Sequence, residues 1–247
     1  MTRVGCVLQP TFMPWLGWFD IVDQCDVVVL LEDVGFSKQS WQQRNRIRGR
    51  DGLEFLSVPV KTAGRLGQPI HSVEIADARF EAKALGRVRD NYKSALHFDA
   101  FFGEFTTAVK AGVASGRLID LNMNLINAAT RVLGIPTEFV QSSAVDAGGT
   151  RGNKVAQLCK ALDVDIYLSP AGAAEYLVED SQSFDARGIE VRLHHYAHPV
   201  YRQQFDPFLS HAGVVDLIFN EGPGSMEILR YGRRDSIALS RESGKQS

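Results

Sequence analysis

Five consecutive apolar residues, VVVLL at 27–31, lie between Asp26 and Glu32. A continuous apolar run of this length predicts a strand buried on both faces, the kind found inside parallel sheets. Parallel neighbours cannot be joined by a tight turn, so each pair needs a longer crossover segment, usually a helix. The run therefore predicts a chain in which strands and helices alternate.

The rest of the sequence shows this alternation on both sides of a helical middle. Strands are predicted at residues 4–8, 54–60, 71–75, 137–141, 166–168 and 190–194, and helices at 16–22, 152–162, 171–177 and, in two short pieces, 213–230. From residue 80 to about 133, apolar residues recur at helical spacing instead. We therefore expect an α/β fold with a mostly parallel, open, Rossmann-like sheet, flanking helices and a helical insertion or lobe in the middle.

The same pattern predicts one structural unit with internal divisions. The expected parts are an N-terminal α/β half at 1–78, a helical insertion at 79–134 and a C-terminal α/β half at 135–231. Residues 232–247 end in the polar SRESGKQS, and we expect them to form a disordered tail. A chain of 247 residues is long enough for one large α/β unit.

Composition argues against several classes of function. The formal net charge is -2, so no overall positive field draws the chain to nucleic acid or to an anionic membrane. We expect neither nucleic-acid binding nor membrane insertion, because the apolar runs are also too short to span a bilayer. The 3 cysteines have no paired spacing and the N-terminus has no signal-peptide pattern, so we expect a cytoplasmic protein with reduced thiols.

Ligands of an open parallel sheet bind beyond the carboxyl ends of its strands, and five predicted loops at that edge carry polar or small residues. The richest loop follows the second strand and reads EDVGFSKQSWQQRNR. Asp33 takes a position where catalytic acids occur, and Trp41 could stack on a base or a sugar. Lys38, Arg44 and Arg46 could clamp a phosphate or carboxylate. The alternative is a solvated basic helix face with Trp41 as a core anchor.

Two other loops open helices and contain glycines. Helix N-termini present free amide donors that suit phosphate, which makes Gly149, Thr150 and Gly172 candidate cofactor contacts. The segment GGTRGNK lacks the GxxxxGK[ST] spacing of a phosphate loop, so the alternative is a plain turn with Thr150 as the N-cap.

The segment HHYAH contains three histidines, but its spacing matches no zinc motif, so no metal site is predicted. Adjacent residues of a strand point to opposite faces, which makes His194 and His195 poor co-ligands of one ion. We expect His195 to act as a general base or a substrate contact.

Several segments, in order, resemble the WbqC-like family, whose members are encoded in bacterial O-antigen and other surface-polysaccharide clusters and among specialised-metabolite genes. The segments are QPTFMPWLGWFDIV, DVVVLLEDVGFSKQSWQQRNRI, FLSVPVK, LIDLNMNLI, LGIPTEFVQSS, LCKALDVDIYLSPAGAAEYL and VVDLIFNEG, and they cover nearly the whole chain up to about Leu229. The resemblance implies a role in building a modified sugar or small metabolite. Tyr201 and Asn220 match late positions of the family pattern and join the candidate substrate site.

The order of strand, Pro/Gly turn, helix and DVVV is also similar to the start of the HxGH nucleotidyltransferases. The aligned turn here is Trp15-Leu16-Gly17-Trp18, with tryptophan at both histidine positions. The resemblance therefore does not bring those catalytic groups with it. Lys38, Arg44 or Lys61 would have to stabilise the charge of a transferring phosphate instead.

Three functions follow as alternatives. The first is a biosynthetic transferase that adds an acyl or aminoacyl group from a carrier donor to an amine of a small polar metabolite, such as an amino sugar. The base would be Asp33 or His195. The side chains that would hold and orient the substrates are Gln9, Arg44, Asn45, Arg46 and Lys61. The second function is a nucleotide-dependent ligase or nucleotidyltransferase that uses ATP and Mg²⁺ as cofactor. The third is a non-catalytic binding protein of a biosynthetic complex.

Overall fold

The structure, a computed structural model, describes residues 1–239 apart from the side chains of residues 175 and 176. Within that range the chain forms eight strands and nine α-helices. The strands are β1 (Val4–Leu8), β2 (Val27–Leu30), β3 (Arg44–Gly49), β4 (Gly52–Ser57), β5 (Glu138–Gln141), β6 (Ile166–Pro170), β7 (Glu190–Tyr196) and β8 (Arg233–Ala238). The helices are α1 (Leu16–Asp23), α2 (Phe80–Tyr92), α3 (Phe98–Ala114), α4 (Leu118–Leu133), α5 (Arg151–Ala161), α6 (Ala174–Glu179), α7 (Ser181–Asp185), α8 (Val214–Glu221) and α9 (Ser225–Tyr231).

Six of the strands in the described part of the chain form one sheet in the order β5-β2-β1-β6-β7-β8. Neighbours are parallel except at the edge, where β8 runs antiparallel to β7. All four residues of β2 are buried, since β1 and β5 flank this strand and helices cover both faces. With the β3–β4 hairpin set aside, the order is the 3-2-1-4-5-6 arrangement of Rossmann folds. The predicted α/β class with a mostly parallel, Rossmann-like sheet is confirmed.

Each face of the sheet has its own apolar core. On one face, residues of β1 and β2 such as Leu8 and Leu30 pack against α1, α8 and α9. On the other face, Val29 packs with Val155 and Leu158 of α5 and with residues around α7. The alternation of side chains along each strand divides the residues between the two cores, so the sheet forms the middle layer of three.

The helical middle of the chain is built from α2, α3 and α4, and it forms a third core together with the β3–β4 hairpin. Helix α4 joins this region to the sheet because it is apolar on two faces. Its Leu121 and Leu125 lie in the core of the helical middle, whereas Ile126 and Ala129 lie in the core beneath α1. The helical middle therefore rests directly on the α/β layers.

Two local predictions were wrong, and a third was right apart from its bounds. The loop expected after β2 included residues 44–46, but these residues begin β3, which pairs antiparallel with β4 outside the main sheet. The strand expected at residues 54–60 is β4, Gly52–Ser57. The strand expected at 71–75 is a 3₁₀ turn, Ile70–Ser72, followed by isolated bridges from Glu74 and Ile75. These bridges hold single residue pairs and extend no sheet.

The segment 232–247, expected to be a disordered tail, contains β8. Leu193 of β7 pairs with Ile237, and Tyr196 pairs with Arg233. The side chain of Arg233 also donates to Asp20 of α1, so the strand is fixed at the sheet edge by both backbone and side-chain contacts. The rest of the predicted tail, from residue 240, lies outside the described residues. None of the helices in residues 1–239 is long and apolar enough to cross a bilayer.

Candidate functional site

The strand order places a crevice between β1 and β6. From β1 the chain continues to β2 and β5 on one side, and from β6 it continues to β7 and β8 on the other. Loops leave the two central strands in opposite directions, and ligands of open α/β sheets bind at such a point. Gln9 follows β1 and Gly172 follows β6, and both line a cleft of about 510 Å³ at this edge. We call it the basic cleft, after the cations described next.

Arg151 and Lys154, from the first turn of α5, give the basic cleft its charge. The N-terminal end of a helix dipole is positive and repels cations, so these two side chains do not stabilise the helix from this turn. Arg151 also has a left-handed backbone, with φ 51°. Lys154 is held by Asp33, whose Oδ2 lies 2.5 Å from Nζ, and Arg151 Nη1 lies 3.7 Å from a carboxylate oxygen of Glu179 at the rim. The cleft therefore offers one ion-paired ammonium and one exposed guanidinium.

Asp33 and Glu32 support Lys154 from behind. Burial by itself raises the pKa of Asp33, but hydrogen bonds from Lys154 and Ser142 outweigh it and lower the pKa below its ordinary value of 3.8. Glu32 is buried and accepts from the Ser142 hydroxyl and from the backbone amides of Ser142 and Ser143; these bonds likewise outweigh burial and lower its pKa. Both carboxylates are therefore ionised at neutral pH, and Asp33 is an ion-paired, weak base.

A second cleft, of about 240 Å³, adjoins the basic cleft and shares Gly172 with it. We call it the middle cleft; its wall includes His194 of β7 and two tryptophans, Trp15 and Trp18. His194 is buried, and its Nε2 lies 2.7 Å from Oδ2 of Asp20. Asp20, fully buried in α1, also accepts from Arg233. The carboxylate of Asp20 therefore orients the imidazole at the wall of the cleft.

A third cleft, of about 280 Å³, shares Trp15 and Trp18 with the middle cleft and adds Trp41, Arg46 and His211. We call it the tryptophan cleft. The Trp15 ring separates the two spaces, with Tyr196 at 5.7 Å in an edge contact and His211 stacked at 5.4 Å, ring centre to ring centre. The three clefts thus lie side by side in a row along the carboxyl edge of the sheet.

Hydrogen bonds between distant segments bring the loops after β1 and β2 together. Gln42 donates to the side chain of Gln9 at 2.8 Å. Asn45 donates to the carbonyls of Phe12 and Met13, and its own side chain is buried. Asn122 of α4 donates to the carbonyls of Pro10 and Gln42, so the helical middle also holds both loops. The loops are consequently fixed before any ligand arrives.

Comparison with known proteins agrees with this arrangement of segments. Residues 9–228 match the WbqC-like protein family, from the loop after β1 to α9. The chain belongs to the WbqC-like family. A protein of Mycobacterium tuberculosis, described as uncharacterized, is similar to it, with 31% identity over 230 residues, 92% of this chain and 98% of that protein. No solved structure matches. The family resemblance read from the sequence motifs is confirmed.

The structure brings six of the predicted site residues of this WbqC-like chain to the row of clefts. Gln9 and Gly172 line the basic cleft, with Asp33 behind its lysine. Trp41, Asn45 and Arg46 line the tryptophan cleft. The side-chain amide of Asn45 is already engaged by two backbone carbonyls, so its role there is to position the loop.

Other predicted residues lie elsewhere on the surface. Lys38 is exposed, and Lys61 pairs with Glu74 at 2.7 Å. The guanidinium of Arg44 lies over the ring of Phe55, at 4.5 Å. Gly149 and Thr150 precede α5 in an exposed loop, and Thr150 is the N-cap residue without a side-chain cap bond.

Burial and strand direction place three more of the predicted residues away from the row of clefts. Tyr201 donates to buried Asp216, and Asn220 donates to Gln204, so both belong to a polar network inside the protein. His195 is exposed opposite Arg234 of β8, because it points away from the face that carries His194. The geometry therefore favours His194 over His195 as the imidazole of the site.

Sequence reasoning missed Arg151, Lys154, His194 and the place of Trp15 and Trp18 in the walls of two clefts. One signal for the first two was present: the segment TRGNK puts two cations into the first turn of a helix, against the dipole. The alternation of β7 would also have selected one histidine once its inward face was known. Within residues 1–239, no group of three or more His, Cys, Asp or Glu side chains is placed to hold a metal ion.

Proposed function

We propose that this WbqC-like protein is a biosynthetic enzyme that joins two small molecules across the row of clefts. A donor with an anionic, phosphate-bearing part would lie in the basic cleft, and the acceptor would lie in the tryptophan cleft. The observation that carries the proposal is the shared walls: Gly172 links the first two clefts, and Trp15 and Trp18 link the last two. Two ligands seated at the ends would meet in the middle cleft.

The proposed reaction is acyl or aminoacyl transfer to an amine. The amine nitrogen attacks the acyl carbon of the donor, a C–N bond forms, and the bond from that carbon to the leaving phosphate oxygen or thioester sulfur breaks. The leaving group departs with the electron pair, and the proton of the amine passes to a base. Neutral imidazole is suited to this role near pH 7.

His194 is the base in this proposal. Asp20 fixes its Nε2, which leaves Nδ1 to accept the proton in the middle cleft. Asp33 serves a different purpose, because its lowered pKa and its bond to Lys154 make it a holder of the ammonium. Lys154 and Arg151 would neutralise the donor phosphates.

A nucleotide-dependent ligase or nucleotidyltransferase is the second candidate. It is favoured by the Rossmann strand order together with two cations at the helix that opens into the crevice. In that reaction the attacking group displaces pyrophosphate from the α-phosphate of ATP, with Mg²⁺ as the cofactor to be supplied. The two candidates differ in the donor and share the same cleft.

The experiment is a ligand panel read by thermal shift and calorimetry: ATP with Mg²⁺, other nucleoside triphosphates, and acyl-coenzyme A as a free analogue of an acyl carrier. A ligand present at one hundred times its dissociation constant adds about 2.7 kcal/mol to stability. We expect at least one phosphate-bearing donor to stabilise the protein. Acyl-coenzyme A would support the transferase, and ATP the ligase.

Lys154→Ala tests whether such binding occurs at the basic cleft. Lys160→Ala is the matched control, because Lys160 is an exposed lysine of the same helix. We expect the first variant to lose the shift and the second to keep it. A panel without any shift, or equal shifts in both variants, would contradict the proposed donor site.

A further inference from the structure

All 3 tryptophans of the chain line the tryptophan cleft. Two come from the start of α1, and Trp41 comes from the turn before β3, in a different part of the sequence. Trp41 keeps 49% of its surface exposed, so a large apolar ring stands in water at the mouth of the cleft. Tryptophan rings offer flat apolar faces on which another ring can stack. The cleft therefore offers apolar ring surface against which a ring of a ligand could pack.

Arg46 supplies the charge of this cleft. Its guanidinium lies 5.4 Å from the ring centre of Trp41, and no acidic side chain within residues 1–239 forms an ion pair with it. No acidic residue lines the cleft either. The Nε of Arg46 is buried and has no hydrogen-bond partner within the described residues. An uncompensated guanidinium in an aromatic space attracts an anion and repels a cation.

His211 adds no second charge at neutral pH. Burial lowers the pKa of His211, and the neighbouring Arg46 lowers it further. Its backbone is left-handed, with φ 68°, a conformation that costs energy in a residue other than glycine. This backbone holds the imidazole in the stack on Trp15, so the strained residue forms part of the cleft wall.

Taken together, we propose that the tryptophan cleft binds a ring compound that carries a carboxylate, with the ring against the tryptophans and the carboxylate on Arg46. That this compound is the acceptor rests on the proposed function, whereas its binding does not. A quaternary ammonium, the other frequent ligand of aromatic cages, is disfavoured because Arg46 carries the same sign of charge. An aromatic acid and a uronic acid both have the required chemistry, and the test separates them.

Tryptophan fluorescence provides the readout, because every tryptophan of the chain borders this cleft. Four probes are titrated into the wild-type protein without any donor: benzoate, its neutral match benzamide, glucuronate and its neutral match glucose. We expect a saturable change with at least one carboxylate and at least tenfold weaker binding of its neutral match. Benzoate alone would identify an aromatic acid, and glucuronate alone a uronic acid.

Arg46→Met should lower the affinity for the carboxylate at least tenfold, to that of the neutral match. Arg46→Lys should retain part of it, because the charge remains while the paired donors are lost. Arg50→Met is the control, since Arg50 is an exposed arginine in the turn after β3. Circular dichroism of each variant checks folding, and the lysine variant keeps the test valid if the methionine variant is unfolded.

Equal binding of charged and neutral probes, or no binding of any of them, would overturn the inference. Carboxylate binding that survives Arg46→Lys and Arg46→Met unchanged would overturn it as well. These outcomes are distinct from failure of the proposed function. A protein that binds carboxylates here but no donor at Lys154 keeps the inference and loses the enzyme, whereas donor binding without carboxylate binding does the reverse.

Discussion

Nε2 of His194 lies 2.7 Å from Oδ2 of Asp20 at the wall of the middle cleft, whereas His195, the next residue of β7, is exposed. Side chains alternate along a strand, so the two imidazoles cannot both reach the cleft. The two histidines are therefore alternative candidates for the base, and substitution of each distinguishes them. His194→Gln should reduce the rate of transfer by about 10²–10⁴-fold, the usual contribution of a general base, with KM little changed.

His195→Gln is the matched variant, and we expect its turnover to remain near that of the wild type. Initial rates are measured for both proteins with the donor that the ligand panel identifies. Asp20→Asn should also slow turnover, because the imidazole would lose the carboxylate that orients it. The reverse ranking of the two histidines would return the role of base to His195.

The ion pair of Asp33 with Lys154 predicts how stability depends on pH. The pKa of Asp33 is lower in the folded protein than its ordinary value of 3.8. The ionised carboxylate therefore stabilises the fold above that ordinary value, and the contribution is lost as the pH falls through the lower, folded pKa. We expect the free energy of unfolding to fall less steeply in Asp33→Asn than in the wild type as the pH drops below about 4.

Urea titrations at several pH values between neutral and the acid limit of folding measure this difference. Asp51→Asn is the control, since Asp51 is exposed in the hairpin turn between β3 and β4. Parallel pH profiles of Asp33→Asn and the wild type would show that the pair adds nothing to stability.

Gly17 sets the position of the Trp15 ring. A Cβ at Gly17 would lie 2.4 Å from two ring atoms of Trp15, so the ring would have to move. Alanine otherwise favours a helix by about 1 kcal/mol over glycine. Gly17→Ala should therefore shift the tryptophan emission and weaken ligand binding, with a smaller effect on stability.

Gly86→Ala in α2 is the control, because nothing lies near a Cβ added at that position, and it should leave the emission unchanged. Unchanged emission and binding in Gly17→Ala would mean that the ring has room to adapt.

The sequence predicted the main sheet because a strand buried on both faces is apolar at every position. The strand 27–31 and its neighbours appear as apolar runs, and the order of helices between them required parallel crossovers. The β3 strand shows no such apolar run, since RNRIRG alternates arginine with other residues. Its Arg48 is buried, with the guanidinium donating to the carbonyls of Phe205 and Pro207, and such satisfaction by distant backbone is not visible in a sequence.

The sequence predicted which loops would form the candidate site, but it did not predict which side chains would pair within it. That the loops after β1 and β2 would meet followed from the rule for parallel sheets. That Asp33 would be bonded to Lys154, 121 residues away, depended on the register between β2 and β5 and on the start of α5. The choice between His194 and His195 depended in the same way on which face of β7 receives α1. A single sequence does not specify these long-range relations.

Asn45 holds the loop after β1 in place through uncharged hydrogen bonds. Its removal should therefore lower the stability of the fold without changing any charge. Its side-chain amide donates to the carbonyls of Phe12 and Met13, at 3.2 and 2.7 Å, in a buried position. In Asn45→Ala both carbonyls lose this donor, and a buried unsatisfied group costs about 1–3 kcal/mol. We expect a loss of about 2–4 kcal/mol in the free energy of unfolding, measured by urea denaturation at unchanged slope.

Asn124→Ala is the control, because that amide donates to Asp120 one turn away in the same helix. Its loss should be smaller than that of Asn45→Ala, since water can replace a half-buried local bond. Equal losses would mean that the two carbonyls find other donors and that the loop does not depend on Asn45.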